Sequence, residues 1–200
     1  MKLYLYLNKE THVETWINGG GPVTLSLASN YWNKDRNGIY TPDENLQIES
    51  KGDPLYIPGV FEFGNNVTIH AENNKIFYNG MINHNIYHYQ KFEEALIICF
   101  STNFHQKAAL KFKKMFCVEI IDYVKLFNSL NEQIGLIGKD GFCQYTKGLN
   151  RNHFLKSIED KWQKEYRIIW VGLSEKVDVF IPKGIAIDRT RDLNIKTSLY

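Results

Sequence analysis

The sequence predicts a mixed α+β domain built from many short strands and a few short helices. Short alternating or continuous apolar segments, such as residues 2–7 and 95–100, are typical of strands. Helical spacing of apolar residues is confined to short stretches such as 103–114. Gly, Asn, Asp and Pro residues separate these segments, as turns require. Together these patterns favour an α+β fold class.

The composition favours a single folded domain that spans residues 1–200. The chain has 200 residues, of which 44% are hydrophobic, and only five prolines, so it is long enough for a sizeable core. The net charge of +2 does not by itself indicate a nucleic-acid-binding protein. Three cysteines lie far apart in apolar surroundings. They are therefore predicted to be buried, reduced thiols and not disulfides or zinc ligands.

The N-terminal part of the chain predicts a strand, a helix and a second strand. Residues 2–7 alternate in polarity and are rich in Tyr and Leu, which is a strand pattern. Residues 11–18 place apolar side chains on one helical face and stop at the Gly-Gly-Gly-Pro turn 19–22. The second strand is predicted at 23–28. Because the glycines match no phosphate-binding motif, we expect a turn that brings the second strand beside the first.

Residues 29–58 predict a long loop. Asn, Gly, Asp and Pro recur there without periodicity, and loops of about thirty residues in a compact domain are usually functional or mobile. Short strands are then expected at 61–63, 67–71 and 75–78, separated by Asn-containing turns. The segment 87–94 is ambiguous between helix and strand.

The second half of the chain is predicted to alternate between strands and helices. The expected strands lie at 95–100, 116–121 and 141–146, and the expected helices at 103–114, 123–131 and 152–164. Asp122 is placed to cap the second of these helices. The two apolar segments at 166–171 and 177–181 are predicted to pair as a final hairpin.

Features of the whole chain favour a cytoplasmic protein. The N-terminal segment 1–6 lacks the long apolar core of a signal peptide. No run of residues approaches the ~18 apolar residues that a membrane span needs. We therefore expect a cytoplasmic protein without a membrane partner.

Two histidines raise the question of a metal site. His84 and His88 are four residues apart and would meet on a helix face. No third ligand lies nearby, and the glutamate of the H-E-x-x-H motif is missing. A polar loop or a half-exposed strand explains this segment better, so we predict no metal. The sequence also contains no recognisable nucleophile elbow of a Ser-His-Asp hydrolase.

The most informative segment is 162–170, where a predicted helix end runs into an apolar strand. Gln163 and Glu165 are two positions apart and would share a strand face. Chemistry at an anomeric carbon passes through an oxocarbenium-like cation, which a carboxylate can stabilise while it binds the ribose 2′-hydroxyl. Gln163 could orient the acceptor. In the alternative, Glu165 is a surface carboxylate that pairs with Lys164 or Arg167.

Several segments together resemble a known family. They are Leu3–Asn8, Thr24–Trp32, Ile98–Ser101, Met115–Ile120 and Trp162–Ile169. The chain is similar to the small bacterial ADP-ribosyltransferase-like proteins of toxin–antitoxin and abortive-infection loci, including the DarT-like nucleic-acid modifiers. The resemblance implies an ADP-ribosyltransferase-like split β-sandwich with short peripheral helices, which binds NAD in the cleft between two small sheets.

The resemblance also implies roles for individual residues. Gln163 and Glu165 match the Q/E-x-E motif of the family, in which the last acid is catalytic. The residues implied to bind NAD are Tyr6 or Asn8 on the first strand, Ser26 and Ser29 on the second strand, and Arg36 in the following loop. Arg36 would meet the pyrophosphate.

The function implied is an NAD-dependent ADP-ribosyltransferase toxin that acts in phage defence or growth arrest, with a cognate antitoxin as a partner. Four lysines between 107 and 114, together with many aromatic residues, favour RNA or single-stranded DNA over protein as the acceptor. A solvated helix face is the alternative explanation for the lysines. Two other functions remain open: a non-catalytic module that binds nucleic acid or a partner, and an NAD glycohydrolase.

Overall fold

The computed structural model describes residues 1–31, 93–147 and 151–194, together with the backbone of four strands between residues 46 and 92. Arg36 and the predicted strands at 61–63 and 67–71 lie outside the described residues. Residues 46–51, which belong to the predicted 29–58 loop, form a strand, so this part of the loop prediction is wrong.

Strands dominate the structure. In chain order they are β1 Leu3–Leu7, β2 Pro22–Leu27, β3 Leu46–Lys51, β4 Lys75–Tyr78, β5 Met81–Asn85, β6 Tyr87–Phe92, β7 Ala95–Ser101, β8 Phe116–Ile120, β9 Lys139–Phe142, β10 Gln144–Thr146, β11 Leu155–Ser157, β12 Glu165–Val171, β13 Val177–Phe180 and β14 Ala186–Asp188. The helices are α1 Glu10–Asn18, α2 Gln106–Phe112 and α3 Tyr123–Ile134, with 3₁₀ turns at Ala28–Tyr31, Ile158–Gln163 and Arg191–Leu193. This mostly antiparallel arrangement confirms the α+β class.

The main sheet branches at β7. Its strands run in the order β13-β2-β7-β1-β8-β14, while β12 also pairs with β7, and β9 pairs with β12. β12 pairs along all of β7, from Glu165 opposite Ser101 to Val171 opposite Ala95. On its other edge, β7 pairs with β2 at one end and with β1 at Ser101. β1 and β2 therefore diverge beside the middle of β7 and leave a split in the sheet.

This pairing corrects two predictions about neighbouring strands. The glycine turn after α1 does not pair β2 with β1, because the two strands pair with opposite ends of the same edge of β7. The predicted hairpin of 166–171 and 177–181 is also wrong, since β12 pairs with β7 and β9, whereas β13 pairs with β2. Six of the seven residues of β12 are buried, so its apolar run is that of an interior strand with partners on both edges.

The predicted helix at 152–164 is wrong as well. The segment forms the short strand β11 and then the 3₁₀ turn Ile158–Gln163. The Ser157 side chain accepts a hydrogen bond from the Glu159 backbone N–H and so starts a new turn at 158. Lys156 is buried, with its ammonium bonded to interior polar groups. Tertiary contacts override helical spacing here.

Local signals predicted α3 well. The Asp122 carboxylate accepts a hydrogen bond from the Lys125 backbone N–H at 3.0 Å, which confirms the predicted cap. The helix ends at Gly135, whose φ of 76° lies in the left-handed region that glycine tolerates. The observed helix extends three residues past the predicted end at 131, to the glycine that stops it.

The largest core cluster lies on one face of the sheet, beneath α1 and α3. α1 contributes Trp16, whose ring meets Phe100 of β7 edge-to-face at 6.4 Å. α3 contributes Leu126 and Leu130, which are fully buried. Burying side chains of this size stabilises the fold by about 1.5–3 kcal/mol each. The other face carries two smaller apolar clusters, one of them under α2, and between them polar side chains of the same strands. No helix in the described ranges has the length and apolar character of a membrane span.

Candidate functional site

One face of the sheet gathers the polar side chains that the sequence singled out. Glu165 of β12 lies opposite Ser101 of β7, which on its other edge lies opposite Tyr4 of β1. Directly opposed residues point to the same face, and so do residues two positions apart along a strand. Tyr6 therefore shares this face. Ser26 also shares this face, because its partner on β7 is Ile97, which lies four positions before Ser101.

A cavity of about 550 Å³ opens at the split between β1 and β2. This volume suits a small-molecule ligand. Its wall is formed by parts of β1, α1, β2 and β7, together with single residues from α2 and β12. Four of the residues predicted from the sequence line it: Tyr6, Ser26, Gln163 and Glu165. The fold thus brings these four residues together from distant parts of the chain.

Gln163 and Glu165 meet through a turn and not through strand alternation. Gln163 ends the 3₁₀ turn, Glu165 starts β12, and Lys164 between them adopts a left-handed φ of 44°. Both side chains accept hydrogen bonds from the same ammonium group. Lys156 Nζ lies 2.6 Å from Gln163 Oε1 and 2.7 Å from Glu165 Oε2. The expected proximity is present, although the two residues do not share one strand.

The carboxylate of Glu165 is buried between two cations. Arg167 Nε lies 2.9 Å from Oε1 and Arg167 Nη2 lies 3.3 Å from Oε2, while Lys156 approaches the second oxygen. The exposed side-chain fractions of Glu165 and Arg167 are only 7% and 0%. Burial by itself raises the pKa of Glu165, but the charges of Arg167 and Lys156 outweigh it and hold that pKa well below its usual range. Glu165 is therefore ionised at neutral pH. The alternative pairing with Arg167 is present, but it lies in the interior and not at the surface, and Lys164 is not the partner.

Neighbouring groups fix this arrangement from behind. Arg167 Nη1 donates to the His153 carbonyl at 2.7 Å. The Glu165 backbone N–H donates to Tyr145 Oη at 3.0 Å. Tyr145 and Lys156 are paired residues of the parallel strands β10 and β11, so this small sheet carries Lys156 to the carboxylate. The orientation of Glu165 is thus determined by its surroundings before any ligand binds.

Tyr6 is linked to the Gln163 end of the site through residues 101–105. Its hydroxyl donates to the Asn103 carbonyl at 2.8 Å and accepts from the His105 backbone N–H at 3.0 Å. Ser101 Oγ donates to the Gln163 carbonyl at 2.9 Å. Burial raises the pKa of Tyr6 to about 12, so its phenol is neutral. Because backbone groups occupy the hydroxyl, the ring is the part of Tyr6 that is left for a ligand.

The remaining predicted residues do not join this cluster. Asn8 is exposed just beyond β1 and is not part of the cavity lining. Ser29 lies in the 3₁₀ turn after β2, where its backbone N–H donates to Glu94 Oε1 at 3.0 Å, and it does not line the cavity either. Arg36 lies outside the described residues. His84 and His88 fall on two different strands, β5 and β6, and not on one helix. Across the described ranges, no three His, Cys, Asp or Glu side chains are grouped as a metal site requires.

Two residues of the site escaped sequence reasoning. Lys156 bridges Gln163 and Glu165, but lysine is rarely buried and nothing nearby in the sequence marked it. Lys114 lines the cavity, although the sequence suggested only that it belongs to a basic helix face or a nucleic-acid surface.

No protein-family model, curated protein or solved structure matches the chain. Its function is therefore argued from the geometry of the site.

Proposed function

We propose that this protein is an NAD-dependent ADP-ribosyltransferase in which Glu165 is the catalytic carboxylate. The observation that carries the proposal is an ionised, pre-oriented carboxylate in the wall of a cavity at a split in the sheet. Burial alone does not explain why the Glu165 carboxylate lies in the wall of a cavity large enough for a ligand. The neighbouring Gln163 lines the same space and supplies a polar group on the side of the acceptor.

The chemistry requires a hydrogen-bond acceptor, held in a fixed position, for a ribose hydroxyl. In the transfer, the bond between C1′ of the ribose and the nicotinamide nitrogen breaks, and its electron pair leaves with nicotinamide. The ribose then carries oxocarbenium-like positive charge until the acceptor nucleophile bonds to C1′ and loses its proton. Glu165 accepts a hydrogen bond from the 2′-hydroxyl and stabilises that charge. Arg167 and Lys156 are positioning residues that keep the carboxylate ionised and correctly oriented.

The rest of the lining suits the nicotinamide end of NAD. Tyr6 presents aromatic surface, and Ser26 of β2 adds a hydroxyl group. Ligand sites are commonly apolar with a few placed polar groups, and this cavity has that composition. Because hydrogen bonds to residues 103 and 105 hold the phenol of Tyr6, its ring needs no rearrangement to accept a flat ligand.

Two observations favour nucleic acid over an arginine side chain as the acceptor. Lys156 occupies Gln163 Oε1, and one N–H of Gln163 Nε2 donates to Asp160 Oδ1 at 3.4 Å, so the amide has one N–H donor left for the acceptor. Carbonyl oxygens and ring nitrogens of a base can accept a hydrogen bond from such a donor, whereas a guanidinium group has no acceptor atom. Beside Gln163, the half-buried Trp162 ring lies 4.8 Å from the Phe112 ring, with Lys111 Nζ 4.8 Å above it. Aromatic rings beside lysines are typical of surfaces that stack bases and contact phosphates.

Labelled NAD tests the proposal directly. Purified protein is incubated with NAD labelled in its ADP-ribose part and, separately, with RNA, single-stranded DNA and cell protein. We expect label on RNA or single-stranded DNA with the wild type and none with Glu165→Gln. Label on protein alone would support a transferase but contradict the proposal that its acceptor is nucleic acid. Free ADP-ribose without transfer would indicate a glycohydrolase instead.

Glu119→Gln is the matched control. Glu119 is also a buried carboxylate, 6% exposed, on the same sheet. It pairs with Arg189 at 2.7 Å and with Lys2 at 3.4 Å, but it does not line the cavity. Thermal unfolding of both variants reports whether each one is folded. Equal loss of transfer in two folded variants would contradict a specific role for Glu165.

A non-catalytic binding module is the second candidate function. The observation that favours it is that Arg167 and Lys156 already balance the Glu165 carboxylate, as in a purely structural ion network. This candidate predicts no NAD consumption in any pool, together with nucleic-acid binding that weakens steeply as salt rises. Salt-insensitive binding would remove it.

We further propose a growth-arresting or antiphage role, with a cognate antitoxin as partner. Support comes only from the resemblance to toxin-locus proteins and from the proposed chemistry, since an enzyme that consumes NAD to modify nucleic acid would harm its host. Growth after induction is the test. We expect arrest with the wild type and with Glu119→Gln, and normal growth with Glu165→Gln at equal protein levels. Arrest by a folded Glu165→Gln protein would contradict the catalytic basis of the toxicity.

A further inference from the structure

The fold carries a lysine into the wall of the cavity. Lys114 follows the end of α2, is half-buried, and lines the same space as Tyr6, Phe112 and Glu165. Most lysines keep their ammonium groups in bulk water, because desolvating a charge is costly. A half-buried lysine beside a ligand-sized space therefore needs an explanation.

The backbone at the end of α2 fixes the position of this lysine. Lys113 adopts a left-handed φ of 55°, a backbone conformation that residues other than glycine rarely take. The Lys113 N–H donates to the Leu110 carbonyl at 3.1 Å, and the Lys114 N–H donates to the Ala109 carbonyl at 2.9 Å. These bonds close the helix and turn the chain sharply at Lys113. Lys114 therefore leaves the helix from a well-defined point at the cavity wall.

The charge of Lys114 is not balanced by the protein groups that the structure describes. None of the carboxylates in the described ranges forms an ion pair with it. Glu165, the carboxylate in the cavity wall, is already held by Arg167 and Lys156. Burial lowers the pKa of Lys114, as expected for an ammonium without a nearby counter-charge. An anionic ligand in the cavity would supply the missing charge.

We infer that Lys114 binds a phosphate group and that the cavity takes a nucleoside diphosphate. The aromatic ring of Phe112 beside it provides apolar surface for the nucleoside part. For the choice of ligand this inference rests on the proposed function, because NAD carries a diphosphate. The resemblance implied Arg36 for the pyrophosphate contact, and that residue lies outside the described residues. Lys114 is a cation that the described structure places in the cavity wall.

Binding of ADP and adenosine in the absence of NAD tests the inference. Isothermal titration at low salt compares the two ligands, which share a base and ribose and differ in the charged diphosphate. We expect the wild type to bind ADP at least about tenfold more tightly than adenosine. Lys114→Gln should lose about tenfold or more in affinity for ADP and little for adenosine, since hydrogen bonds to charged groups contribute that much. Lys114→Arg keeps the positive charge and should retain most of the preference.

Lys139→Gln is the control for net charge. Lys139 is exposed on β9 and lies outside the cavity lining, so its replacement should leave the affinity for ADP unchanged. A folded Lys114→Gln protein that binds ADP like the wild type would overturn the inference. So would a wild-type protein that binds ADP no better than adenosine, and this comparison requires no variant to fold.

The two proposals can fail separately. If ADP binding depends on Lys114 but NAD is never consumed, the phosphate site stands and the transferase proposal falls. If the wild type transfers ADP-ribose while Lys114→Gln binds ADP normally, the transferase proposal stands and the assignment of Lys114 falls.

Discussion

The ammonium of Lys156 donates to the carboxylate of Glu165 at 2.7 Å, and both side chains are buried. The same ammonium donates to Gln163 at 2.6 Å, so one lysine orients both residues of the Gln-x-Glu pair. Lys156 is therefore central to the stability of the site and to its chemistry.

Replacing Lys156 should destabilise the protein measurably. In Lys156→Met, the Gln163 and Glu165 oxygens lose a buried donor, and breaking a buried ion pair typically costs about 3–5 kcal/mol. Because Arg167 still binds Glu165, we expect a loss near the lower end of that range in the free energy of unfolding, measured in urea. Lys161→Met is the control. Lys161 is exposed, and its change should stay within about 0.5 kcal/mol. A Lys156→Met protein as stable as the wild type would show that the network contributes little.

The free energy of unfolding should fall in acid because of Glu165. Its folded-state pKa is held below its usual value of 4.5, so between the two values the unfolded chain binds the extra proton. This contribution is fully present above pH ~4.5 and is lost as the pH falls through the folded-state value, with a slope of about 1.4 kcal/mol per pH unit.

Urea unfolding between pH 3 and pH 6 measures this slope. Glu165→Gln removes the titrating group, so its acid slope should be shallower than that of the wild type. Glu14→Gln is the control, because Glu14 is exposed on α1 and its replacement should leave the acid slope of the wild type in place. Parallel pH profiles for the wild type and Glu165→Gln would contradict the strong pairing of this carboxylate.

The hydroxyl of Tyr6 should matter for stability more than for ligand binding. It joins the Asn103 carbonyl to the His105 N–H, so Tyr6→Phe leaves two backbone groups without this partner at a cost of about 1–3 kcal/mol. Tyr4→Phe, on the same strand and face, should be nearly neutral, because no hydrogen bond of its hydroxyl is found among the described residues. Thermal unfolding compares the two variants. If Tyr6→Phe were as neutral as Tyr4→Phe, the link between β1 and residues 101–105 would carry little energy.

Trp162 should contribute to nucleic-acid binding. Stacking of a base on an aromatic side chain is worth about 1–3 kcal/mol, so Trp162→Ala should weaken binding of a short single-stranded oligonucleotide about fivefold or more. Fluorescence anisotropy at low salt measures this loss. Phe180→Ala is the control, since Phe180 is an aromatic residue exposed on β13 that does not line the cavity. Equal binding by the wild type and Trp162→Ala would remove the surface beside Gln163 as the acceptor site.

Local signals explain which elements could be predicted. The strand at 95–100 has a continuous apolar run, and α3 has a capping Asp122 followed by apolar residues at helical spacing. Each of these signals is contained within the element itself. The segment 152–164 carried a helical spacing too, but its residues gain more from tertiary contacts. Lys156 bonds Gln163 and Glu165, and Ser157 starts a new turn, so a strand and a 3₁₀ turn replace the helix.

Strand pairing and the site were less predictable for a physical reason. An apolar run indicates that a strand is buried but does not identify the strand it pairs with. The sequence therefore predicts that β12 pairs with β13, whereas its partners are β7 and β9. The Gln-x-Glu pair could be selected from residue chemistry alone. The buried cations around it could not, because lysine and arginine enter an interior only where the fold supplies a partner for their charge.

The sequence by itself therefore determined the α+β class, most of the individual elements outside 152–164, and the choice of Gln163 and Glu165 as the residues to examine. Each of these follows from local periodicity, capping or residue chemistry. Only the tertiary structure decided that β1 and β2 diverge along β7 and open a cavity there, that Lys114 lines it, and that Lys156 and Arg167 hold Glu165 in its wall. Those features depend on contacts between segments that are far apart in the chain, and the energies of such contacts leave no periodic trace in any one segment.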